Sequence, residues 1–123
     1  MWDLVDNRDS IALIESFYDS GEPVAAVCHS STVFHRVTYN GAALVKGKGG
    51  TGFTNDEEEA VQLTHVVPFL VEDELKRVGG LYEKAPDWQS FAITDGCLIM
   101  GQKPASSTVA ARALLHLFAE EAT

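Results

Sequence analysis

Val24-Ala25-Ala26-Val27-Cys28-His29 is the segment from which the architecture can be read. Its first five residues are apolar on both faces, with Gly21 and Pro23 before them and Ser30-Ser31-Thr32 after. A short apolar run bounded by turn signals reads as a buried parallel strand. The polar triplet that follows could cap a short helix through Phe34 and Val37. A strand feeding a helix is the building unit of α/β folds.

Working outward, Asn7 and Asp9 are helix caps ahead of Ile11, Ile14, Phe17 and Tyr18, which recur at helical spacing. Gly21 fits the stop. The glycine-rich stretch 46–53 reads as a flexible loop or a weak strand. It is not a phosphate-binding loop, because no Gly-Lys-Ser/Thr closes it. Thr54-Asn55-Asp56-Glu57 fits a capping box and predicts a helix running towards Leu63. Val71, Leu75 and Val78 mark another, ended by Gly79-Gly80. Phe91–Thr94 and Cys97–Met100 read as hairpin strands joined by Asp95-Gly96. Ala110, Ala113, Leu114, Leu117 and Phe118 line a closing helix capped near Ser106 or Ser107. The predicted fold is α/β, with a mainly parallel sheet and a C-terminal hairpin. Residues 1–123 form a single domain without repeats or linkers. With so few strands, the sheet would keep an unprotected edge.

Composition narrows the functional classes. The chain has 123 residues, 46% of them apolar, enough to bury a core. No run approaches the ~20 apolar residues of a membrane helix, and the polar, acidic start does not read as a signal peptide. Eighteen acidic residues against nine basic give a formal charge of −9. That surface repels phosphate backbones and anionic membranes, so neither nucleic acid nor membrane is an expected partner. Cys28 and Cys97 are too few for a disulfide scaffold, which points to reduced thiols and a cytoplasmic setting. The four histidines are scattered, with no HExxH or CxxC pair, so no metal or cofactor is expected.

Cys28 ends the predicted strand where a helix begins. Ligands of open α/β sheets bind beyond the carboxyl ends of strands. A thiol there would face free N–H groups and the positive end of the helix dipole, which lower its pKa. The same N–H groups could hold an oxyanion, and His29 could move the proton. From periodicity alone, Cys28 reads first as a small buried hydrophobe, as Cys97 does within its hairpin strand. Glu57 to Glu59 are readable as a solvated first helical turn, and His35 and His116 as surface or boundary residues.

Five segments occur in one order: Val24-Ala-Ala-Val-Cys-His29, Thr51-Gly-Phe-Thr-Asn-Asp-Glu-Glu58, Val67-Pro-Phe-Leu70 with Glu74-Leu75, Pro86-Asp-Trp88, and Gly101-Gln-Lys-Pro-Ala-Ser-Ser107. Together they resemble the ThiJ/PfpI family, specifically its heat-shock-chaperone and glyoxalase III-like branch, along essentially the whole chain. The resemblance implies a flavodoxin-like three-layer sandwich related to class I glutamine amidotransferases. It also implies a nucleophile-elbow cysteine at Cys28, its histidine at His29, and a third triad member at Glu58. The capping box takes Glu57, which leaves Glu58 to orient His29. The implied reaction is attack of the thiolate on a reactive aldehyde such as methylglyoxal, giving a 2-hydroxy acid without glutathione, metal or other cofactor. Deglycation and holdase activity are implied alongside.

Two departures stand out. Ser30 and Ser31 replace the glycine and proline usual after the Cys-His pair, and Ser30 would narrow the pocket. Met1-Trp-Asp-Leu resembles an interior segment of the family, so the chain is expected to lack the usual N-terminal strands. The alternatives are a catalytically compromised, chaperone-like or structural oligomer and, more weakly, a PfpI-type hydrolase or peptidase. A homo-oligomer or a companion N-terminal segment is the expected partner.

Overall fold

The computed structural model describes residues 1–86 and 89–121; Asp87 and Trp88 of the Pro86-Asp-Trp segment lie outside the described residues. Helix α1 (Arg8–Asp19) leads into β1 (Val24–Val27) and a 3-10 helix (Cys28–Phe34). Short strands β2 (Thr38–Tyr39), β3 (Ala42–Ala43) and β4 (Gly49–Gly50) precede α2 (Asn55–Ala60) and α3 (Val71–Arg77). Then come β5 (Leu81–Tyr82), β6 (Ala92–Asp95), β7 (Leu98–Gly101), a 3-10 turn (Pro104–Ser106) and α4 (Ser107–Glu121).

The main sheet has the order β1-β7-β6. β1 runs parallel to β7 with Val24 opposite Leu98, and β6 pairs antiparallel with β7 as the C-terminal hairpin. All four residues of β7 are buried. Leu98 and Met100 join the cluster of Phe34, Val37, Leu44, Val45, Phe53, Val71 and Leu75. Ile99, on the opposite face by strand alternation, lies on the side covered by α4. α1 and the 3-10 helix pack on β1 from the other side. The result is the three-layer α/β sandwich that the resemblance implied.

Several expectations shift. β1 is a half-buried edge strand rather than a buried one, paired only with β7 among the described residues, and Ala25 is exposed. An apolar run cannot by itself distinguish the middle of a sheet from its edge. The hairpin turn is Gly96-Cys97, because Asp95 pairs with Leu98. Positive φ occurs at Gly96 and not at Cys97, the type II′ pattern. Asp95 stays in the strand, where its carboxylate accepts the Gly49 N–H at 2.8 Å and ties β4 to β6. Cys97 is therefore a half-buried turn residue whose thiol donates to the Gly21 carbonyl, not the middle of a strand. The glycine-rich stretch contributes β4, which pairs parallel with β5.

Candidate active site

The chain reverses direction sharply at Cys28. Val27 is extended, with φ −132° and ψ 154°, and Cys28 has φ +61°, a left-handed conformation that costs a non-glycine residue about 1–3 kcal/mol. Neighbours hold it there. The Phe53 N–H donates to the Cys28 carbonyl at 3.4 Å, and the Thr32 hydroxyl donates to the His29 carbonyl at 2.7 Å. Gly52 backs onto the turn so closely that a Cβ would lie 3.3 Å from the Cys28 carbonyl oxygen and 2.6 Å from Val71 Cγ1.

Ser30 does not face the thiol. Its hydroxyl accepts the Val27 N–H at 3.0 Å and donates to the Val27 carbonyl at 2.5 Å. The Val24 N–H donates to the Cys97 carbonyl on the β7 side, so by strand alternation Val27 points its polar groups to the open edge, and Ser30 satisfies both. Instead of narrowing a pocket, this departure from glycine caps the edge of the strand.

From the elbow the Cys28 sulfur reaches His29 Nδ1 at 3.3 Å, and His29 Nε2 lies 2.6 Å from Glu58 Oε2. A carboxylate accepts and cannot donate, so Nε2 carries the proton and Nδ1 is left as the acceptor for the thiol. The imidazole lies against the Phe53 ring, with centroids 4.4 Å apart. Glu58 is presented by local capping chemistry. The Thr54 hydroxyl accepts the Glu57 N–H while Glu57 Oε1 accepts the Thr54 N–H, both at 3.1 Å. That box turns the next side chain, Glu58, towards His29. The three residues singled out from sequence thus form one continuous relay of hydrogen bonds.

The electrostatics correct one expectation. Burial pushes the Cys28 thiol above its ordinary value, the His29 backbone N–H pulls it back, and the Glu58 and Glu57 carboxylates push it up again. The helix after it is a seven-residue 3-10 segment, and its N–H groups do not outweigh burial beside two carboxylates. The shift is therefore upward, towards a protonated thiol, rather than down towards a preformed thiolate.

Sequence reasoning gave no role to the end of β7. Gln102 and Lys103 are wholly buried. Gln102 Nε2 donates to Glu57 Oε1 at 3.1 Å, and its carbonyl accepts the Ala85 N–H at 2.8 Å. Lys103 Nζ lies 3.4 Å from Glu57 Oε2. Glu57 and Glu58 are both buried, so of the acidic residues at the start of α2 only Asp56 and Glu59 face solvent. His35 is also more than a boundary residue. It is buried between Glu74 at 2.7 Å and Asp6 at 3.1 Å, and stacked on Phe69. His116 is exposed on α4, 3.0 Å from Glu120. Among the described residues no His, Cys, Asp or Glu cluster has the arrangement of a metal site, and no helix is long and apolar enough to cross a membrane.

No protein-family model matches the chain. It is 34% identical over 115 residues to the glutathione-independent glyoxalase HSP31 of Saccharomyces cerevisiae, covering 87% of this chain and 48% of that protein. The structure superposes on glyoxalase III of Candida albicans with a TM-score of 0.87 at 26% identity, covering 94% of this chain and 51% of that one. A two-domain protein of Anabaena variabilis with DJ-1/ThiJ/PfpI-like and ferritin-like domains shares the fold, with a TM-score of 0.67 at 22% identity over 94% of this chain and 26% of that one. The chain spans about half the length of the curated relatives it matches.

Proposed function

Because the chain belongs to the ThiJ/PfpI family, in its heat-shock-chaperone and glyoxalase III-like branch, we propose that it is a cysteine-dependent, glutathione-independent glyoxalase acting on reactive aldehydes such as methylglyoxal, with related deglycase activity. The observation that carries this reading is the relay of Cys28, His29 and Glu58, at 3.3 and 2.6 Å.

In the proposed mechanism His29 Nδ1 takes the thiol proton as the sulfur bonds to the aldehyde carbon, and the former carbonyl oxygen gains a proton. The product is a hemithioacetal. His29 then removes the proton from that carbon, and reprotonation at the neighbouring carbon turns the adduct into a thioester. Water cleaves the thioester, releasing the 2-hydroxy acid and restoring the thiol. Glu58 holds the imidazole in its working tautomer and stabilises the imidazolium that forms twice in the cycle. Neither glutathione nor a redox partner enters the balance, since one carbon is oxidised as its neighbour is reduced. The site works best in a reducing, cytoplasmic compartment, where Cys28 and Cys97 stay free. 2-Hydroxy acid formation from methylglyoxal by wild type and Cys28→Ala, without glutathione, tests this. Turnover only in wild type supports it, and equal rates overturn it.

A second reading, a chaperone-like or structural oligomer, is favoured by different features. Trp2, Leu13, Phe17 and Leu115 are exposed, and apolar grooves of about 230 and 300 Å³ flank the open edge of β1. Sheet edges and apolar patches of this kind are usually paired in an assembly. A homodimer seen by light scattering together with an inactive site would favour this reading, and a catalytically active monomer would exclude it.

A further inference from the structure

We propose that Lys103 is a positioning residue for the relay: its buried ammonium cancels the charge of Glu57, which lets the adjacent Glu58 hold its own charge on His29. This inference rests on the relay proposed above as the working site. Glu57 and Glu58 are consecutive, with exposures of 0% and 1%. Two neighbouring buried carboxylates do not both stay ionised without a counter-charge, because each raises the cost of the other. Glu58 meets His29 through Oε2, and its Oε1 has no hydrogen-bond partner among the described residues. Compensation for the pair must therefore come through Glu57.

Lys103 supplies it. Lysine is almost never fully buried without a partner, yet this side chain is only 1% exposed. Its Nζ has no hydrogen bond among the described residues and approaches Glu57 Oε2 at 3.4 Å. Gln102 and the Thr54 N–H fix the other Glu57 oxygen at 3.1 Å each. The other acidic group nearby, Glu72, has its own cations, Lys76 at 2.7 Å and Lys84 at 3.3 Å. The Tyr82 phenol is kept protonated by burial and donates to the Gly52 carbonyl. Lys103 is thus the cation assigned to Glu57, and its loss would be felt at Glu58 and Cys28.

The test compares Lys103→Met, Glu57→Gln and the double variant, reading the pH dependence of Cys28 alkylation by iodoacetamide with folding checked by circular dichroism. Lys103→Met should slow alkylation about tenfold at a fixed pH below the midpoint, equivalent to one pH unit. Glu57→Gln, which leaves the cation unopposed, should shift the profile the other way. The double variant should return to within about twofold of wild type. If Lys103→Met does not fold, Glu57→Gln against the double variant still decides. Coincident profiles for those two, or a wild-type profile for a folded Lys103→Met, would overturn the proposal. Alkylation needs no aldehyde turnover, so a failed glyoxalase assay leaves this result interpretable, and the reverse.

Discussion

Glu58 and His29 meet at 2.6 Å across a gradient of exposure, the carboxylate 1% exposed and the imidazole 28%. The anchor lies in the protein interior and the moving proton near the surface. A buried, fixed acceptor costs no reorganisation when the ring becomes charged. Everything proposed for Cys28 passes through this contact.

Glu58→Gln keeps the shape of the side chain but removes its charge and allows the amide to present a donor to Nε2. The wrong imidazole tautomer then faces the thiol. A fall in kcat/KM of about a hundredfold or more is expected, within the range for losing oriented acid–base catalysis. Steady-state kinetics with methylglyoxal would check it, and a loss below about threefold would remove Glu58 from the relay.

The reactivity of Cys28 should follow its environment. Burial, with Glu58 and Glu57 adding to it, holds the thiol above its ordinary value of 9.0, against the pull of the His29 N–H. The iodoacetamide rate at Cys28 should therefore climb through a midpoint above 9.0. A midpoint near neutrality would show a resting thiolate–imidazolium pair and restore the expectation drawn from sequence.

Gly52→Ala should be costly although Gly52 makes no chemical contribution. Its Cβ would meet Val71 Cγ1 at 2.6 Å and Ser31 Cβ at 3.2 Å, so the buried Val71 or the elbow must move. A loss of about 1–3 kcal/mol is the usual result of such overpacking. Thermal denaturation measures it, with slower Cys28 alkylation expected in the folded fraction. An unchanged Tm with unchanged alkylation would mean that the elbow is not braced from behind.

Acid should destabilise the protein through Glu74. Its hydrogen bond from Arg77, with His35 adding to it, holds the carboxyl down to about 2 from its ordinary 4.5. A depressed carboxylate contributes stability above the unfolded value, and that contribution is lost as pH falls from 4.5 through 2. The melting temperature should decline over that window, and Glu74→Gln should flatten the decline. Identical pH profiles for the two proteins would contradict it.

Some of this was legible in the chain and some was not, for physical reasons. The capping box at Thr54 and Glu57 is local chemistry, so four residues sufficed to predict the start of α2 and the availability of Glu58. The same local reading gave Glu57 no role beyond the cap and missed Lys103, because their contact joins segments far apart in sequence and no periodicity marks a buried lysine. The run Val24–Val27 announced a strand before a turn, but its place at the sheet edge depends on which strands pair with β7. A positive φ at Cys28 leaves no signature in residue type at all. The pKa expectation rested on the dipole of one helix, whereas burial and two carboxylates act on Cys28 from the rest of the fold.

The central claim, that Cys28 attacks the aldehyde directly, is most directly tested by carbon-13 NMR of the protein mixed with labelled methylglyoxal in the absence of glutathione. A protein-bound hemithioacetal signal should appear and give way to labelled 2-hydroxy acid, with both absent from Cys28→Ala. Identical spectra for the two proteins, whether unreacted aldehyde or the same adducts on other side chains, would contradict it.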